Sequence, residues 1–217
     1  MTTSDPHAGQ PVLRRGVDVK AARLVLILVH GRGGTAAGML DLAGEIGADN
    51  MAYVAPQAAG STWYPYSFLA PMEQNEPDLT SALRRLDHLV VALQREQVAA
   101  GRIGLLGFSQ GACLALEYAA RHPRGYAAIA GLSGGLIGPP GTPRDYAGRF
   151  DGAPVFVGCS DVDPHIPLER LHETAAVFTR MGARVDERIY PGMGHTINAD
   201  EIAAVKALVA ARSDQRR

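Results

Sequence analysis

The sequence predicts an α/β fold in which a mostly parallel central sheet is flanked by helices on both faces. Short apolar runs alternate with segments of helical periodicity along most of the chain, which is the order expected of such a fold. Several apolar runs are nearly continuous rather than alternating, as in parallel strands that are buried on both faces. No internal repeat and no linker rich in Pro, Gly or Ser divides the 217 residues, so we predict a single domain.

The elements follow one another in a regular order. The predicted strands are 24–29, 51–55, 103–108, 127–132, 154–158 and 185–190. The predicted helices are 78–98, 110–121, 168–181 and a final helix with the apolar stripe Ile202, Val205, Leu208 and Val209. Asn198 is expected to cap the final helix, with Glu201 three residues on, as in a capping box. The domain is predicted to occupy 1–217, with flexible polar tails at about 1–10 and 213–217.

The composition excludes several classes of protein. Lys and Arg number 21 against 22 Asp and Glu, so the chain lacks the basic surface that binds nucleic acid or anionic membranes. Its two cysteines, Cys113 and Cys159, are too few for a disulfide framework or a structural zinc site, and we predict that both pack in the core. The N-terminus lacks the apolar stretch of a signal peptide, and the longest apolar run, 24–29, is far shorter than the roughly 18 residues of a membrane span. We therefore expect a cytoplasmic protein with no membrane span and no nucleic-acid partner.

The motif G-x-S-x-G lies at the end of a predicted strand, with Gly107, Ser109 and Gly111 at its fixed positions. An apolar strand precedes it and a helix rich in Ala and Leu follows, which is the context of a nucleophile elbow. The sharp turn exposes the serine hydroxyl at the edge of the sheet and at a helix N-terminus, where developing negative charge is favoured. Ser109 is therefore the predicted nucleophile. The alternative is an ordinary strand-to-helix turn in which Ser109 is only an N-cap.

A glycine-rich loop, H-G-R-G-G-T at 30–35, follows the first long strand. A serine hydrolase needs two backbone N–H donors for the oxyanion of its tetrahedral intermediate. We predict that Gln110, which follows the nucleophile, supplies one donor and that Arg32 supplies the other. The loop lacks the glycine spacing of a phosphate-binding loop, so the other interpretation is a plain tight turn. His30 is predicted to support the loop, and the Arg32 side chain to contact an anionic substrate or to face solvent.

Two further strand ends carry the residues that could activate a serine. The loop C-S-D-V-D-P-H-I-P contains Asp161 and Asp163, and a later turn, P-G-M-G-H, ends at His195. In the chain order nucleophile, acid, base, His195 is the predicted general base and Asp163 the carboxylate that orients it. Asp163 is preferred to Asp161 because the proline that follows it restricts it to extended conformations. A weaker interpretation of the same loop is a metal site formed by Asp161, Asp163 and His165.

The segment 56–77 is a long loop that holds four prolines and the only tryptophan of the chain. It begins at the end of a predicted strand, so we predict that it forms one wall of the substrate site. The residues predicted to bind substrate there are Trp63, Tyr64, Phe68 and Leu69. The alternative is that these side chains only pack the loop onto the domain. Glu73 and Glu76 could meet a polar group of the substrate or Arg32.

Taken together, these motifs resemble the carboxylesterase/phospholipase branch of the α/β-hydrolases, which includes the acyl-protein thioesterases. The matching pieces are L-V-H-G-R-G-G-T, A-P-Q, W-Y, G-F-S-Q-G-A, D-V-D-P-H-I-P and G-M-G-H, and they occur in order between Leu28 and His195. The resemblance implies an α/β-hydrolase fold and a serine esterase with Ser109, Asp163 and His195 as its triad, without a cofactor or a metal. Thioesterase-like members typically carry an acidic residue where this chain has Gly34, and the stretch W-Y-P-Y-S-F-L-A-P is more similar to bacterial members.

The sequence therefore predicts a serine carboxylic-ester hydrolase that acts through an acyl-enzyme on small to medium acyl or aryl esters, with thioesters as a further substrate class. Its expected partner is a small-molecule ester, and a homodimer is left open. Two alternatives remain, a hydrolase of lactones or C–C bonds in aromatic substrates and a non-catalytic binding protein with the same fold. The complete set of triad residues speaks against the binding protein, because binding alone needs none of them.

Overall fold

The computed structural model describes residues 5–47 and 49–210, which contain seven strands and five helices. The strands are β1 (Val12–Gly16), β2 (Leu24–Val29), β3 (Met51–Pro56), β4 (Ile103–Phe108), β5 (Ala128–Leu132), β6 (Pro154–Ser160) and β7 (Arg184–Tyr190). The helices are α1 (Ala36–Ile46), α2 (Asp78–Arg95), α3 (Gln110–Arg121), α4 (Leu168–Arg180) and α5 (Ala199–Ala210). In these two ranges, no helix combines the length and the hydropathy that crossing a membrane requires.

The strands form one sheet in the order β1-β3-β2-β4-β5-β6-β7, which is parallel except for β1. The mostly parallel sheet predicted from the sequence is confirmed, and each predicted strand lies within two residues of its observed limits. The α2 helix ends earlier than predicted, just before the turn at Gln97, where φ is +66°. Because the parallel strands run in one direction, their carboxyl ends lie along a single edge, where α/β sheets place their ligands.

Helices cover both faces of the sheet because alternate residues of a strand point to opposite sides. The odd-numbered residues of β2, from Val25 to Val29, pack in the same apolar cluster as side chains of α2, α3 and α4. The even-numbered residues, from Leu24 to Leu28, pack on the other face with side chains of α1 and α5. This burial on two sides explains why β2 is an uninterrupted apolar run in the sequence.

Two elements were not predicted from the sequence. β1 pairs antiparallel with β3 at one edge of the sheet, and four of its five residues are exposed, so no apolar pattern marks it. α1 is capped by Thr35, whose hydroxyl accepts the N–H of Gly38 at 3.1 Å, and it ends at Gly47 with φ of +51°. Two glycines inside α1, Gly38 and Gly44, lower its intrinsic helical propensity and interrupt its apolar pattern.

The N-terminal segment is packed more tightly than its polar composition predicts. His7 is fully buried, and its Nε2 lies 2.9 Å from the carbonyl oxygen of Trp63. Its other ring nitrogen accepts a backbone N–H of the same loop at 3.1 Å, so both polar atoms of the ring are satisfied. Within the tail predicted at 1–10, the described residues 5–10 thus include a side chain that is packed against the domain. The rest of that tail and the tail predicted at 213–217 lie outside the described residues.

The final helix, α5, begins with the predicted capping box. The N–H of Glu201 donates to Asn198 Oδ1 at 2.8 Å, and the N–H of Asn198 donates to Glu201 Oε2 at 3.0 Å. Glu201 is fully buried, and its Oε1 has no hydrogen-bond partner among the residues that the structure describes. Burial raises the pKa of this carboxyl to about 7.

Candidate active site

Ser109 lies in a sharp turn between β4 and α3, with φ of +55° and ψ of −123°. Residues other than glycine rarely adopt such a conformation, and here the surrounding backbone imposes it. A Cβ at Gly107 would overlap the carbonyl oxygen of Gly111, and a Cβ at Gly111 would overlap that of Val29. Both glycines of the motif are therefore needed for the close approach of β2, β4 and α3. This turn has the strand-to-helix geometry that the motif predicts.

Ser109, His195 and Asp163 form a continuous chain of hydrogen bonds. Ser109 Oγ lies 2.8 Å from His195 Nε2, and His195 Nδ1 lies 2.7 Å from Asp163 Oδ2. The side chain of Asp163 is fully buried, whereas 18% of the His195 side chain is exposed. The three residues that the sequence analysis proposed as a triad are thus brought together at one edge of the sheet. This geometry allows His195 to take a proton from the serine while the carboxylate fixes its ring.

The Asp163 carboxylate accepts hydrogen bonds on both of its oxygens. Burial by itself would raise its pKa, but the hydrogen bond from His195 and those from the backbone N–H groups of His165 and Ile166 outweigh burial and lower the pKa below its usual range. The two backbone bonds to Oδ1 measure 2.8 and 3.1 Å. The thiol of Cys159 adds a weak donor at 3.6 Å from Oδ2. Asp163 is therefore held in its ionised form.

Asp161, the competing carboxylate, has a different place in the site. Its Oδ1 accepts the N–H of Gly192 at 2.8 Å, and the hydroxyl of Ser160 accepts the N–H of Gly194 at 3.1 Å. Both bonds anchor the turn that carries His195, and neither involves the imidazole. No group of three or more His, Cys, Asp or Glu side chains in the described ranges is arranged to hold a metal ion. Asp161 therefore supports the histidine turn rather than the imidazole itself.

The two predicted oxyanion donors belong to segments that lie close to Ser109. Gln110 is the first residue of α3, so its N–H has no acceptor within the helix. In the described part of the chain, the N–H of Arg32 forms no hydrogen bond. Its loop passes close to the nucleophile, since a Cβ built on Gly31 would lie 3.2 Å from Ser109 Cβ. Both N–H groups are therefore free to meet a ligand at the serine.

His30 supports the glycine-rich loop, as predicted. Its Nδ1 lies 2.7 Å from the carbonyl oxygen of Gly31, and its Nε2 accepts the N–H of Ala58 at 3.1 Å. Burial lowers the pKa of the imidazole, in agreement with a neutral ring that donates at Nδ1 and accepts at Nε2. Arg32 is exposed, in agreement with one of the two sequence expectations, and its guanidinium also donates to the carbonyl oxygens of Tyr64, Pro65 and Tyr66.

A cavity of about 440 Å³ opens at Ser109. Its lining consists of Arg32, Tyr64, Pro65, Tyr66, Ser67, Phe68, Ser109, Gln110, Cys113, His165, Ile166 and His195. Tyr64 and Phe68 are in the wall as predicted. Tyr66, His165 and Ile166 also line the cavity and were not predicted to do so, although the motif D-V-D-P-H-I-P contains the last two. The proline-rich loop and this motif thus form facing parts of one substrate-sized cavity.

Two residues predicted to bind substrate do not reach this cavity. Trp63 is fully buried in the core, where its Nε1 donates to the carbonyl oxygen of His30 at 2.8 Å. Leu69 packs against the same core cluster. Neither side chain lines the cavity, and the sequence does not reveal this because an apolar side chain that anchors a loop has the same sequence signature as one that lines a pocket. Among the acidic candidates, Glu76 accepts the backbone N–H and the hydroxyl of Thr80, and neither it nor Glu73 lines the cavity.

The two cysteines are buried, as predicted. Burial raises the pKa of both the Cys113 and the Cys159 thiol to about 12, so both remain protonated near neutral pH. Cys113 lies in the first turns of α3 and also lines the cavity. A protonated thiol at this point gives that part of the cavity a weakly polar surface.

The doubly covered sheet, the elbow at Ser109 and the Ser–His–Asp arrangement together define an α/β-hydrolase. Within that class, residues 17–212 match the model of the phospholipase/carboxylesterase family, and the chain belongs to this family. The family and the fold that the motifs predicted are both confirmed. The family is one of carboxylesterase-type hydrolases.

Similar proteins agree with this assignment. A phospholipase/carboxylesterase from Dyadobacter fermentans DSM 18053 is 40% identical, with a TM-score of 0.89 over 97% of this chain and 98% of that one. A candidate esterase, NocK, from Nocardia uniformis subsp. tsuyamanensis is 29% identical over 83% of this chain and 56% of its own. A candidate carboxymethylenebutenolidase of Salmonella typhi is 31% identical over 62% of this chain and 50% of its own. The chain thus spans about half the length of the curated relatives it matches.

Proposed function

We propose that this protein is a serine carboxylic-ester hydrolase that acts through an acyl-enzyme on small to medium acyl or aryl esters. The observation that carries the proposal is the unbroken hydrogen-bond chain from Ser109 through His195 to Asp163, at the mouth of a 440 Å³ cavity. Membership of a carboxylesterase family supports the reaction class. The cavity volume and its aromatic wall support the size and character of the substrate.

In the proposed reaction, Ser109 Oγ attacks the ester carbonyl carbon while His195 Nε2 takes its proton. The electron pair of the carbonyl bond moves to the oxygen, and the N–H groups of Arg32 and Gln110 stabilise the resulting oxyanion. When the intermediate collapses, His195 returns the proton to the leaving alcohol, which leaves an acyl group on the serine. Water then attacks the acyl carbon while His195 takes its proton, and collapse of this second intermediate breaks the bond to Ser109 Oγ, returns the proton to that oxygen and releases the carboxylic acid. Asp163 stabilises the imidazolium in both halves of the reaction.

The proposal is tested with p-nitrophenyl acetate, butyrate and octanoate and with a fluorophosphonate probe. We expect the wild type to cleave the shorter esters and to be labelled once, and Ser109→Ala to lose turnover by about 10³-fold or more and to resist labelling. Ser81→Ala is the matched control, since it removes a buried serine hydroxyl in α2 that does not line the cavity. Equal turnover by Ser109→Ala and the wild type would exclude Ser109 as the nucleophile.

A second candidate function is the hydrolysis of lactones of aromatic or unsaturated acids. The wall formed by Tyr64, Tyr66 and Phe68 favours flat substrates, and one relative carries the name carboxymethylenebutenolidase. The same residues would open the ring, except that the leaving alcohol stays attached to the acyl group. Faster turnover of butenolides and aryl lactones than of matched open-chain esters, again abolished by Ser109→Ala, would favour this function.

A further inference from the structure

We infer that the side chains of Arg32 and Gln110 are positioning groups that tie both oxyanion donors to one short wall segment, 63–66, whose last three residues line the cavity. The inference rests on the proposed function, because it concerns the two residues whose backbone N–H groups we propose as the oxyanion hole. It adds a role for their side chains, which lie beside the reacting atoms without carrying out a step of the chemistry. The wall would then set the distance between the two donors as well as the shape of the cavity.

The side-chain amide of Gln110 binds the wall through two hydrogen bonds. Its Oε1 accepts the N–H of Trp63 at 2.9 Å, and its Nε2 donates to the carbonyl oxygen of Tyr64 at 2.8 Å. Gln110 is buried, so these two bonds satisfy an amide that has little access to water. A glutamine is suited to this place because its donor and acceptor match the N–H and C=O of neighbouring wall residues.

The Arg32 guanidinium binds the same segment from the glycine-rich loop. It donates to the carbonyl oxygens of Tyr64, Pro65 and Tyr66, each at 2.9 Å. Its donors have a fixed fork geometry, so three bonds hold the side chain in one orientation. The Tyr64 carbonyl accepts from both Arg32 and Gln110 and is therefore the point at which the two donor residues are joined.

The wall segment is itself held firmly to the rest of the domain. The Trp63 indole donates to the carbonyl oxygen of His30 at 2.8 Å, and the N–H of Tyr66 donates to Asn75 Oδ1 at 2.8 Å. Asn75 is fully buried. Within the glycine-rich loop, the N–H of Gly33 donates to the carbonyl oxygen of Ser61 at 2.8 Å. Because the segment is anchored in this way, its hydrogen bonds to Arg32 and Gln110 can fix the positions of these two residues.

Oxyanion stabilisation depends on donors that are in place before charge develops, and small displacements of such donors are costly. Arg32 lies in the glycine-rich loop and Gln110 in the first turn of α3, so no short stretch of backbone links their N–H groups. The shared wall segment supplies that constraint through hydrogen bonds. Loosening it should therefore weaken transition-state stabilisation more than substrate binding.

The test measures kcat and KM of Gln110→Ala and Arg32→Met with p-nitrophenyl butyrate, and the inhibition constant of a trifluoromethyl ketone that forms a tetrahedral adduct with serine. We expect kcat to fall by about 10-fold to 100-fold with little change in KM. Affinity for the ketone should fall in parallel with kcat/KM, whereas affinity for an uncleavable amide isostere should not change. Because the two side chains share the Tyr64 carbonyl, the double variant should lose less than the product of the single losses.

Two further variants separate positioning from general stability. Gln110→Glu keeps the acceptor for the Trp63 N–H but places an oxygen against the Tyr64 carbonyl, so it should lose kcat as Gln110→Ala does. Gln110→Glu also serves as the test variant if Gln110→Ala does not fold. Arg102→Met is the matched control, since the Arg102 guanidinium also binds backbone carbonyls, those of Val19, Lys20 and Ala22. It should lower the melting temperature and leave kcat unchanged.

The outcomes distinguish the inference from the proposed function. If the wild type cleaves the ester in a manner that depends on Ser109, but the wall variants keep kcat and the affinity for the ketone, the inference is wrong and the proposed function stands. A rise in KM with unchanged kcat would also overturn it, because the wall would then act only in binding. If the wild type neither cleaves esters nor reacts with the fluorophosphonate, the proposed function fails and the inference fails with it.

Discussion

At the scale of single residues, Ser109 combines a demanding backbone conformation with the proposed chemistry. Its φ of +55° lies in the left-handed region, and contacts among Gly107, Gly111 and the end of β2 leave the turn no other path. The sequence signals this conformation because only glycine fits at the two flanking positions. A serine hydroxyl on a helix interior would not be presented to a cavity in this way. The strained backbone conformation is therefore what places the hydroxyl at the cavity.

This strain leads to a prediction about stability. The free energy of unfolding of Ser109→Gly should be about 1 kcal/mol higher than that of Ser109→Ala, because glycine adopts positive φ without a Cβ clash. Both variants lack the hydroxyl and should be equally inactive, so Ser109→Ala is the matched control. Urea denaturation at neutral pH measures the difference. Equal stability of the two variants would mean that the turn stores no strain at this residue.

At the scale of elements, α5 links the histidine turn to the core through its capping box. The box satisfies both backbone N–H groups, but it brings the Glu201 carboxyl into a fully buried position, where one of its oxygens finds no partner within 5–47 and 49–210. Burial is the main cause of the raised pKa, and the neighbouring charge of Asp200 adds to it. The helix start is thus stabilised by hydrogen bonds and destabilised by ionisation of the same residue.

Stability should consequently depend on pH through Glu201. Its pKa is about 4.3 when the chain is unfolded and about 7 when it is folded. Between these values the unfolded state releases a proton that the folded state keeps, so wild-type stability falls as pH rises, by at most about 1.4 kcal/mol per pH unit. Glu201→Gln cannot ionise and keeps an acceptor for the Asn198 N–H, so its advantage over the wild type should grow up to about pH 7 and then level off.

Melting temperatures across this pH range test the prediction. Asn198→Ala is the control, because it removes the cap and should cost about 1 kcal/mol at every pH. If the stabilities of Glu201→Gln and the wild type differed by a constant amount, the folded-state pKa of Glu201 would not be raised.

Elements with a strong apolar signal were predictable, and those without one were not. β2 and β4, in which every residue except Phe108 is buried, were predicted to the residue, since burial on both faces favours a nearly continuous apolar run. β1 is held by pairing with β3 rather than by buried side chains, so its sequence carries no pattern. The glycine-flanked residues Ser109 and His195 were likewise recognisable. Trp63 was misplaced because sequence cannot tell an apolar anchor from an apolar pocket wall.

At the scale of the whole molecule, stability should decrease from the centre of the sheet to its edges. β2, β4 and β5 are flanked by strands on both sides and covered on both faces, whereas β1 and β7 pair on one side only and are partly exposed. Local opening therefore needs the least free energy at the edges. The nucleophile turn lies at the end of β4, in the part of the sheet that opens last.

Hydrogen exchange should follow this order. We expect backbone amides of β2, β4 and β5 to exchange only on global unfolding, and amides of β1 and β7 to exchange by smaller openings with a lower free energy. Exchange followed by mass spectrometry on peptides from each strand gives these free energies. Protection of β1 equal to that of β4 would contradict the prediction.

The charged edges of the sheet also bear on how copies of this chain meet. On β1, Arg14 pairs with Glu96 and Arg15 with Asp41. On β7, Arg188 pairs with Asp186 and Asp200. A strand from another copy would have to displace these intramolecular ion pairs before it could form hydrogen bonds with β1 or β7. We therefore expect the sheet to end within each copy, so that a homodimer, if one forms, meets through helices and loops, and the folded chain resists fibrous aggregation even when concentrated.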